Sequence, residues 1–378
     1  MPRSVMVTGG AGFIGANFVY HWVGAHPADQ ITVIDALTYA GNRDNLAPVA
    51  DHLSLTFVHG DICDSALVSR VIAERTVDTI VHFAAESHVD RSIVDPGLFL
   101  QTNIIGTQVL LAAARAAWRV EGGYRDGVRF HHVSTDEVYG SLAIDAPPAV
   151  ETTRYEPNSP YAASKAAADH LVRAFHRTYG LPVTTSNCSN NYGPCQFPEK
   201  LIPLLLINAL EGKSLPIYGD GMNIRDWLYV GDHCRAIEAV LERGRPGEVY
   251  NVGGDAPMTN LEVVRTLSRL IDEAFSAEPA LAARFPSSPA ARGGTTLSLL
   301  KFVTDRPGHD RRYDIDGSKI AAELGFRPAE GFESGLRQTV EWYLANEEWW
   351  RAVLDGSYRE WVSQHYGDGG PAGQARPL

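Results

Sequence analysis

Cysteine is scarce in this chain: Cys63, Cys188, Cys195 and Cys234 are the four among 378 residues, and they form no C-x-x-C pair. That usage excludes a disulfide scaffold, carries no zinc-ligand spacing, and points to a reducing compartment, the cytoplasm. No metal is expected. Positive charge is also short, 33 Lys and Arg against 45 Asp and Glu for a net charge of -12. The long-range field therefore repels nucleic acid and anionic membrane, and an anionic ligand must be met by local donors. No basic and apolar leader precedes the first apolar run, which ends at Thr8, so secretion is not expected. Pro96–Ala114 is uncharged for 19 residues, but Gln101, Thr102, Asn103, Gly106 and Gln108 interrupt it too often for lipid. A buried helix is the better reading. There is no internal repeat.

What is present is a globular composition, 44% hydrophobic and 21% charged, enough for a sizeable core and, at about 150 residues per domain, two or three domain-sized units. The first 190 residues repeat one rhythm, a short β-rich run, a turn and a helical stretch, which is the pattern of a Rossmann-type, doubly wound parallel α/β sheet. Strands are expected at Val5–Thr8, Ile31–Asp35, Thr56–Gly60, Thr79–Ala84, Arg129–Ser134, Val183–Asn187 and Val249–Val252. Helices are expected at Phe13–Gly24, Ala66–Arg75, Thr102–Trp118 and Tyr161–Tyr179, and then at Asn190–Pro198, Leu201–Glu211, Leu261–Phe275 and Lys319–Leu324. Residues 1–188, with 226–253 returning, read as the dinucleotide domain. Residues 189–225 and 254–366 read as a smaller, discontinuous ligand domain, with ligand placed between the two. Ser276–Thr296 and the tail, residues 367–378, lack periodicity and read as mobile.

Thr8-Gly9-Gly10-Ala11-Gly12-Phe13-Ile14-Gly15 joins the first strand to the first helix. Glycines there let the backbone turn tightly and approach a pyrophosphate, whose charge is met by amides at the helix N-terminus. Asp35, 20 residues beyond Gly15, is placed to accept bonds from an adenosine ribose and to repel a 2′-phosphate, which favours NAD over NADP. Asp61 suits either the adenine edge or a turn cap. Tyr161 and Lys165 stand at i and i+4 on one helix face, where a cation lowers the pKa of a phenol and makes it a usable base. Asp136 and Glu137 lie at the C-terminal end of the fifth strand, the edge where open α/β sheets bind ligands. Adjacent carboxyls can be held in different environments, one protonated as acid and one ionised as base; a solvated acidic turn is the plainer alternative.

Together, Thr8–Gly15, His82-Phe-Ala-Ala-Glu-Ser-His-Val-Asp-Arg-Ser92, Ser134-Thr-Asp-Glu-Val-Tyr-Gly140, Tyr161-Ala-Ala-Ser-Lys165, Asn190-Asn-Tyr-Gly-Pro194, Pro198-Glu-Lys-Leu-Ile-Pro203 and Arg306-Pro-Gly-His-Asp-Arg-Arg312 resemble the dTDP-glucose 4,6-dehydratase family of extended short-chain dehydrogenase/reductases, over about residues 3 to 366. The glycine and Tyr/Lys motifs serve the whole superfamily; Thr-Asp-Glu-Val-Tyr-Gly and Arg-Pro-Gly-His-Asp are narrower. The resemblance implies a cycle without net redox change, in which hydride leaves the sugar for NAD and later returns. Tyr161, supported by Lys165 and Thr135, takes the C4 hydroxyl proton; Glu137 removes the C5 proton while Asp136 protonates the departing C6 hydroxyl. It further implies cofactor contacts at Gly9, Gly12, Phe13, Ile14, Gly15, Asp35, Thr38, Asp61, Ile62, Ala84, Ala85, Ser87, Thr102, Tyr161, Lys165 and Asn187. Nucleotide-sugar contacts are implied at Ser87, Asn190, Glu199, Lys200, Leu201, Pro216, Tyr218, Arg225, Asn260, Arg306, His309 and Tyr366, where arginine suits diphosphate. A homodimer through the helices 102–118 and 161–179 is implied as well. Rival readings are another nucleotide-sugar 4,6-dehydratase, a UDP-sugar epimerase or decarboxylase, or a non-enzymatic NAD sensor. The Asp136–Glu137 pair argues against the first group, and the intact Tyr161, Lys165 and Glu137 against the last.

Overall fold

The computed structural model describes residues 2–305 and 309–355. By Cα proximity the described residues form two units, one of 2–191, 224–257 and 310–332 and another of 192–223, 258–305, 309 and 333–355.

The first unit is built on seven strands, β1 (Ser4–Thr8), β2 (Gln30–Asp35), β3 (Leu55–His59), β4 (Thr79–His82), β5 (Arg129–Thr135), β6 (Val183–Cys188) and β7 (Val249–Val252). Their order is β7-β6-β5-β4-β1-β2-β3, and every pairing is parallel, as with Val7 of β1 opposite Val33 of β2 and Val81 of β4. Strand order reverses between β1 and β4, so the C-terminal ends of these strands border the crevice where such sheets bind ligands. Because side chains alternate across a strand, Val5, Val7, Ile31 and Val33 pack with Phe18, Val19 and Trp22 of helix α1 (Phe13–Ala25). Met6, Ile34 and Ile80 pack on the other face with α2 (Ser65–Glu74) and α3 (Thr107–Trp118). Helix α4 (Pro160–Tyr179) begins with proline at its first turn under a Ser159 cap and ends at left-handed Gly180, the start and stop signals expected of such a helix.

The 102–118 segment is not one α-helix. Leu100–Gly106 winds as a π-helix before α3 starts at Thr107. Within it Asn103 is 1% exposed, accepts from the Glu86 amide at 2.9 Å and donates to the Glu86 carbonyl at 3.0 Å and to Ser164 Oγ at 2.8 Å. A wider turn sets this amide between two neighbouring segments, the kind of local distortion that recurs at functional sites. The full helical stretch Pro96–Trp118 is long and apolar enough to cross a membrane, yet half of its most apolar window is buried inside the protein.

Three further expectations are corrected. Residues 190–198 are not helical: Asn190–Tyr192 is a strand, and Gly193 with φ 148 followed by Pro194 stops a helix from forming. Residues 310–332 group with the first unit, where Ile224 and Arg225 pair with Arg312 and Tyr313. Ser276–Thr296 is packed rather than loose. Helix Asn260–Ala277 runs into it, Leu281 and Phe285 are buried, and the Phe285 ring lies 6.4 Å from Phe275 and 6.5 Å from Trp350. Asp272 closes its far end, accepting from Thr295 Oγ1 at 2.9 Å and from the Thr296 amide at 3.0 Å. Residues 367–378 lie outside the described residues.

Candidate active site

The β1–α1 turn has the form of a phosphate cradle. Gly9 has φ +69, and a Cβ there would sit 2.6 Å from the Ala84 nitrogen. At Gly15 a Cβ would sit 2.2 Å from the Gly9 carbonyl oxygen, so helix and turn touch backbone to backbone. At Gly12 a Cβ would meet only that same oxygen, at 3.2 Å. Gly12 caps α1 without any side-chain bond, which leaves the helix N-terminus, with Phe13 and Ile14 in its first turn, to a ligand. Asp35 ends β2, 8% exposed, and is aimed by amide bonds from Ala11 at 2.9 Å and Leu37 at 2.8 Å. Burial raises its pKa while these bonds oppose the rise. A dinucleotide fits this set: bare backbone at a helix N-terminus for the pyrophosphate and an oriented carboxyl at the next strand end for a ribose.

The other expected cofactor residues are placed variously. Asp61 is exposed and caps its own turn, accepting from the Cys63 amide at 2.8 Å. The Ile62 side chain turns into the core. The Thr38 hydroxyl bonds the Glu86 carboxyl. Ala84, Ala85, Ser87 and Thr102 are half-buried. Asn187 is fully buried, donating to Tyr139 Oη at 2.8 Å and Tyr155 Oη at 3.2 Å, and its Oδ1 has no partner.

At the end of β5, Thr135 caps a short 3-10 turn, Asp136–Tyr139, by accepting from the Glu137 amide. The two carboxyls differ in environment. Asp136 is 3% exposed, its Oδ1 takes a 3.3 Å bond from Thr135, and its Oδ2 has no partner. Burial, then Glu137 and Asp226, hold its pKa well above the ordinary carboxyl range, with Arg225 pulling the other way. Glu137 is half-buried. The pair is therefore divided into a protonated buried acid and a more accessible carboxyl.

Tyr161 is 9% exposed and hydrogen-bonded to Thr135. Its i,i+4 partner Lys165 shares its helix face, but Lys165 Nζ donates to the Val133 carbonyl at 2.8 Å. The sequence expectation that Lys165 lowers the phenol pKa is corrected: burial, followed by Glu137, holds the phenol well above 10, with the Thr135 bond opposing. Burial brings Lys165 itself down to about 8.

Of the expected substrate residues, Ser87, Asn190 and Arg225 belong to the first unit. Arg225 is 6% exposed, donates to the Ile224 carbonyl at 2.7 Å and the Asp310 carbonyl at 2.8 Å, and lies 4.3 Å from the Tyr313 ring centroid. Asn190 Oδ1 is buried without a partner. Glu199, Lys200, Leu201, Pro216, Tyr218, Asn260 and His309 belong to the second unit. There Lys200 caps helix Leu201–Leu210, Pro216 and Tyr218 lie on strand Leu215–Tyr218, and His309 Nδ1 donates to Asp305 Oδ1 at 2.7 Å with its ring 6.1 Å from Tyr218. Arg306 and Tyr366 lie outside the described residues. Sequence reasoning missed Asn103, Asp226, which holds the Gly254 and Ala256 amides at 2.7 Å each, and Asp169. The available signal for Asp169 was its position one turn beyond Lys165 in an alanine-rich helix.

Comparison with known proteins shows the family. The profile of the GDP-mannose 4,6 dehydratase family matches residues 6–339. The dTDP-glucose 4,6-dehydratase of Xanthomonas campestris pv. campestris strain B100 is 55% identical over 355 residues, 94% of this chain and 97% of that one; dTDP-glucose 4,6-dehydratase 1 of Escherichia coli K12 is 51% identical, covering 96% and 98%. The structure of DesIV, a dTDP-glucose 4,6-dehydratase of Streptomyces venezuelae solved with NAD bound, superposes with a TM-score of 0.80 at 49% identity over 93% of this chain and all of that one. The chain belongs to the nucleotide-sugar 4,6-dehydratase family of extended short-chain dehydrogenase/reductases.

Proposed function

We propose that the protein is a cytoplasmic NAD-dependent dTDP-glucose 4,6-dehydratase, a lyase that turns dTDP-D-glucose into dTDP-4-keto-6-deoxy-D-glucose and water for deoxysugar biosynthesis, such as that of rhamnose. The observation that carries the reading is the divided carboxyl pair, Asp136 buried and Glu137 half-buried, next to Tyr161 on the Thr135 hydroxyl. Simple alcohol oxidation needs no such pair; water elimination needs an acid and a base together. The Gly9–Gly15 turn and Asp35 would hold NAD, which when bound would accept hydride from C4 and return it to C6. Tyr161 acts as base in its phenolate form, which the Thr135 hydroxyl favours against the opposing effect of burial, and takes the C4 hydroxyl proton. The resulting C4 ketone acidifies C5–H. Glu137 removes that proton, Asp136 gives its proton to the leaving C6 hydroxyl, and Glu137 finally reprotonates C5. In the first unit, Asn190 and Arg225 are assigned to the nucleotide sugar.

The test is incubation with dTDP-glucose, UDP-glucose and GDP-mannose separately, without added reductant. Loss of one water from dTDP-glucose, abolished in Glu137→Gln, is expected. No water loss from any of the three overturns the dehydratase reading.

A homodimer through the helices 102–118 and 161–179 belongs to the same proposal, with exposed apolar surface continuing into the turns just before the first of them. Ile93, Val94, Leu98, Leu100 and Ile105 are each 45% exposed or more along successive helical turns leading into α3, and a second copy of this chain is the expected cover. Leu98→Asp together with Ile105→Asp gives a monomer in sedimentation; an unchanged species refutes this interface.

A further inference from the structure

Behind the catalytic turn, around the expected cofactor residue Lys165, lies a buried ionic cluster whose carboxylate, Asp169, has no part in the reaction above. Three consecutive residues of β5 each meet α4: His132 Nε2 lies 3.1 Å from Asp169 Oδ1, the Val133 carbonyl accepts from Lys165 Nζ at 2.8 Å, and Ser134 Oγ donates to Asp169 Oδ2 at 2.9 Å. Tyr155 Oη donates to the same Oδ2 at 2.9 Å. Lys165 and Asp169 are 4% and 6% exposed and stand one helical turn apart. β5 ends at Thr135, next to Ser134, and Asp136 and Glu137 follow directly in the 3-10 turn.

We infer that Asp169 is a positioning residue for the dehydratase reaction: its carboxylate is the counter-charge that keeps the buried Lys165 an ammonium and fixes α4 against β5 beneath the acid–base turn. An ammonium removed from water reverts to the neutral amine unless an opposite charge accompanies it. Burial lowers Lys165 to about 8 while Asp169 acts to raise it. Burial likewise raises Asp169 to about 6 while Lys165, Ser134 and Tyr155 act to lower it. At neutral pH the pair is thus charged on both sides. The other titratable groups facing Asp169 are His170 on its own helix, His132 on β5, and Tyr139 with Tyr155. His132 is held neutral by burial, so it cannot replace the carboxylate's partner, and the tyrosines stay protonated.

A purely structural clamp and a counter-charge make opposite forecasts for Asp169→Asn. An amide oxygen can still accept from Ser134 and Tyr155, so a clamp survives the change. A counter-charge does not: with it gone, Lys165 loses its proton about 1–3 units lower. The inference rests on the dehydratase reading for its catalytic readout, so the experiment has two arms. In the first, the alkaline limb of the kcat–pH profile for dTDP-glucose moves down by about 1–3 units in Asp169→Asn. In the second, which needs no substrate, thermal unfolding is followed against pH. A lysine with a lowered folded pKa regains stability as pH rises from its folded value towards 10.5; in the variant that gain begins at the correspondingly lower pH. A variant that folds with both profiles unshifted overturns the inference. Wild type inactive on all three nucleotide sugars overturns the proposed function, and the second arm still decides the role of Asp169. If Asp169→Asn does not fold, Ser134→Ala serves: losing one donor raises the Asp169 pKa and moves the acid limb of activity, and the onset of acid-side change in unfolding, to higher pH. No movement in either overturns the inference.

Discussion

Replacing Asp136 with asparagine separates chemistry from stability. In the wild type the protonated carboxyl leaves Oδ2 buried without a partner, and an asparagine amide leaves a donor in the same place, so at low pH the two side chains cost about the same, each an unsatisfied polar group of about 1–3 kcal/mol. As pH rises above the unfolded carboxyl value, 3.8, the unfolded wild type releases a proton that the folded form retains. Stability of the wild type therefore falls by about 1.4 kcal/mol per pH unit until the raised folded value is reached, and the variant has no such slope. Asp136→Asn is thus expected to be as stable as wild type near pH 4 and more stable at neutrality. Activity goes the other way, because an amide cannot give a proton to the leaving hydroxyl. Loss of a general acid lowers kcat by about 10²–10⁴-fold, about 2.7–5.4 kcal/mol of barrier. Oxidation at C4 needs only Tyr161, Thr135 and the bound NAD, so reduced cofactor accumulates on mixing with dTDP-glucose, read by nicotinamide absorbance in stopped flow. A kcat within about tenfold of wild type, or a melting temperature that falls at every pH, refutes the assignment.

Three other outcomes are expected. Gly15→Ala drives a Cβ into the Gly9 carbonyl at 2.2 Å; opening the turn costs about 1–3 kcal/mol, so isothermal titration with NAD finds binding weaker by about 5- to 150-fold. Trp118→Ala removes a fully buried ring and its 2.7 Å bond to the Val77 carbonyl, lowering stability by about 3–5 kcal/mol in urea unfolding. Glu238 would be raised by burial, but bonds from His21 at 2.7 Å and His26 at 2.6 Å outweigh this and hold its pKa below 4.5. A depressed carboxyl stabilises above its unfolded pKa and loses that contribution as pH falls through its folded one, so Glu238→Gln is less stable at neutrality and the gap closes below about pH 4.5.

What could be read from the chain alone was local chemistry with a fixed geometric consequence. Consecutive apolar residues at Val5, Met6 and Val7 specify a strand buried on both faces, and Gly9, Gly12 and Gly15 specify a turn that only bare backbone can make. Tyr161 and Lys165 share a helix face because four residues are about one turn. Asp136 and Glu137 were legible as a pair because they follow a strand whose end borders the crevice. Tertiary structure decided everything that depends on who the neighbours are. Periodicity cannot reveal that Asn103 reaches Glu86 and Ser164 from a π-helix, or that Phe285 meets Phe275 and Trp350 within a stretch whose sequence reads as loose. Nor does spacing contain the desolvation that raises the pKa of Asp136 and of Tyr161 and brings Lys165 down to about 8. Helix and turn geometry is set by residues a few positions apart, whereas the electrostatics of a buried group is set by the water it has lost and by charges brought close from elsewhere in the chain.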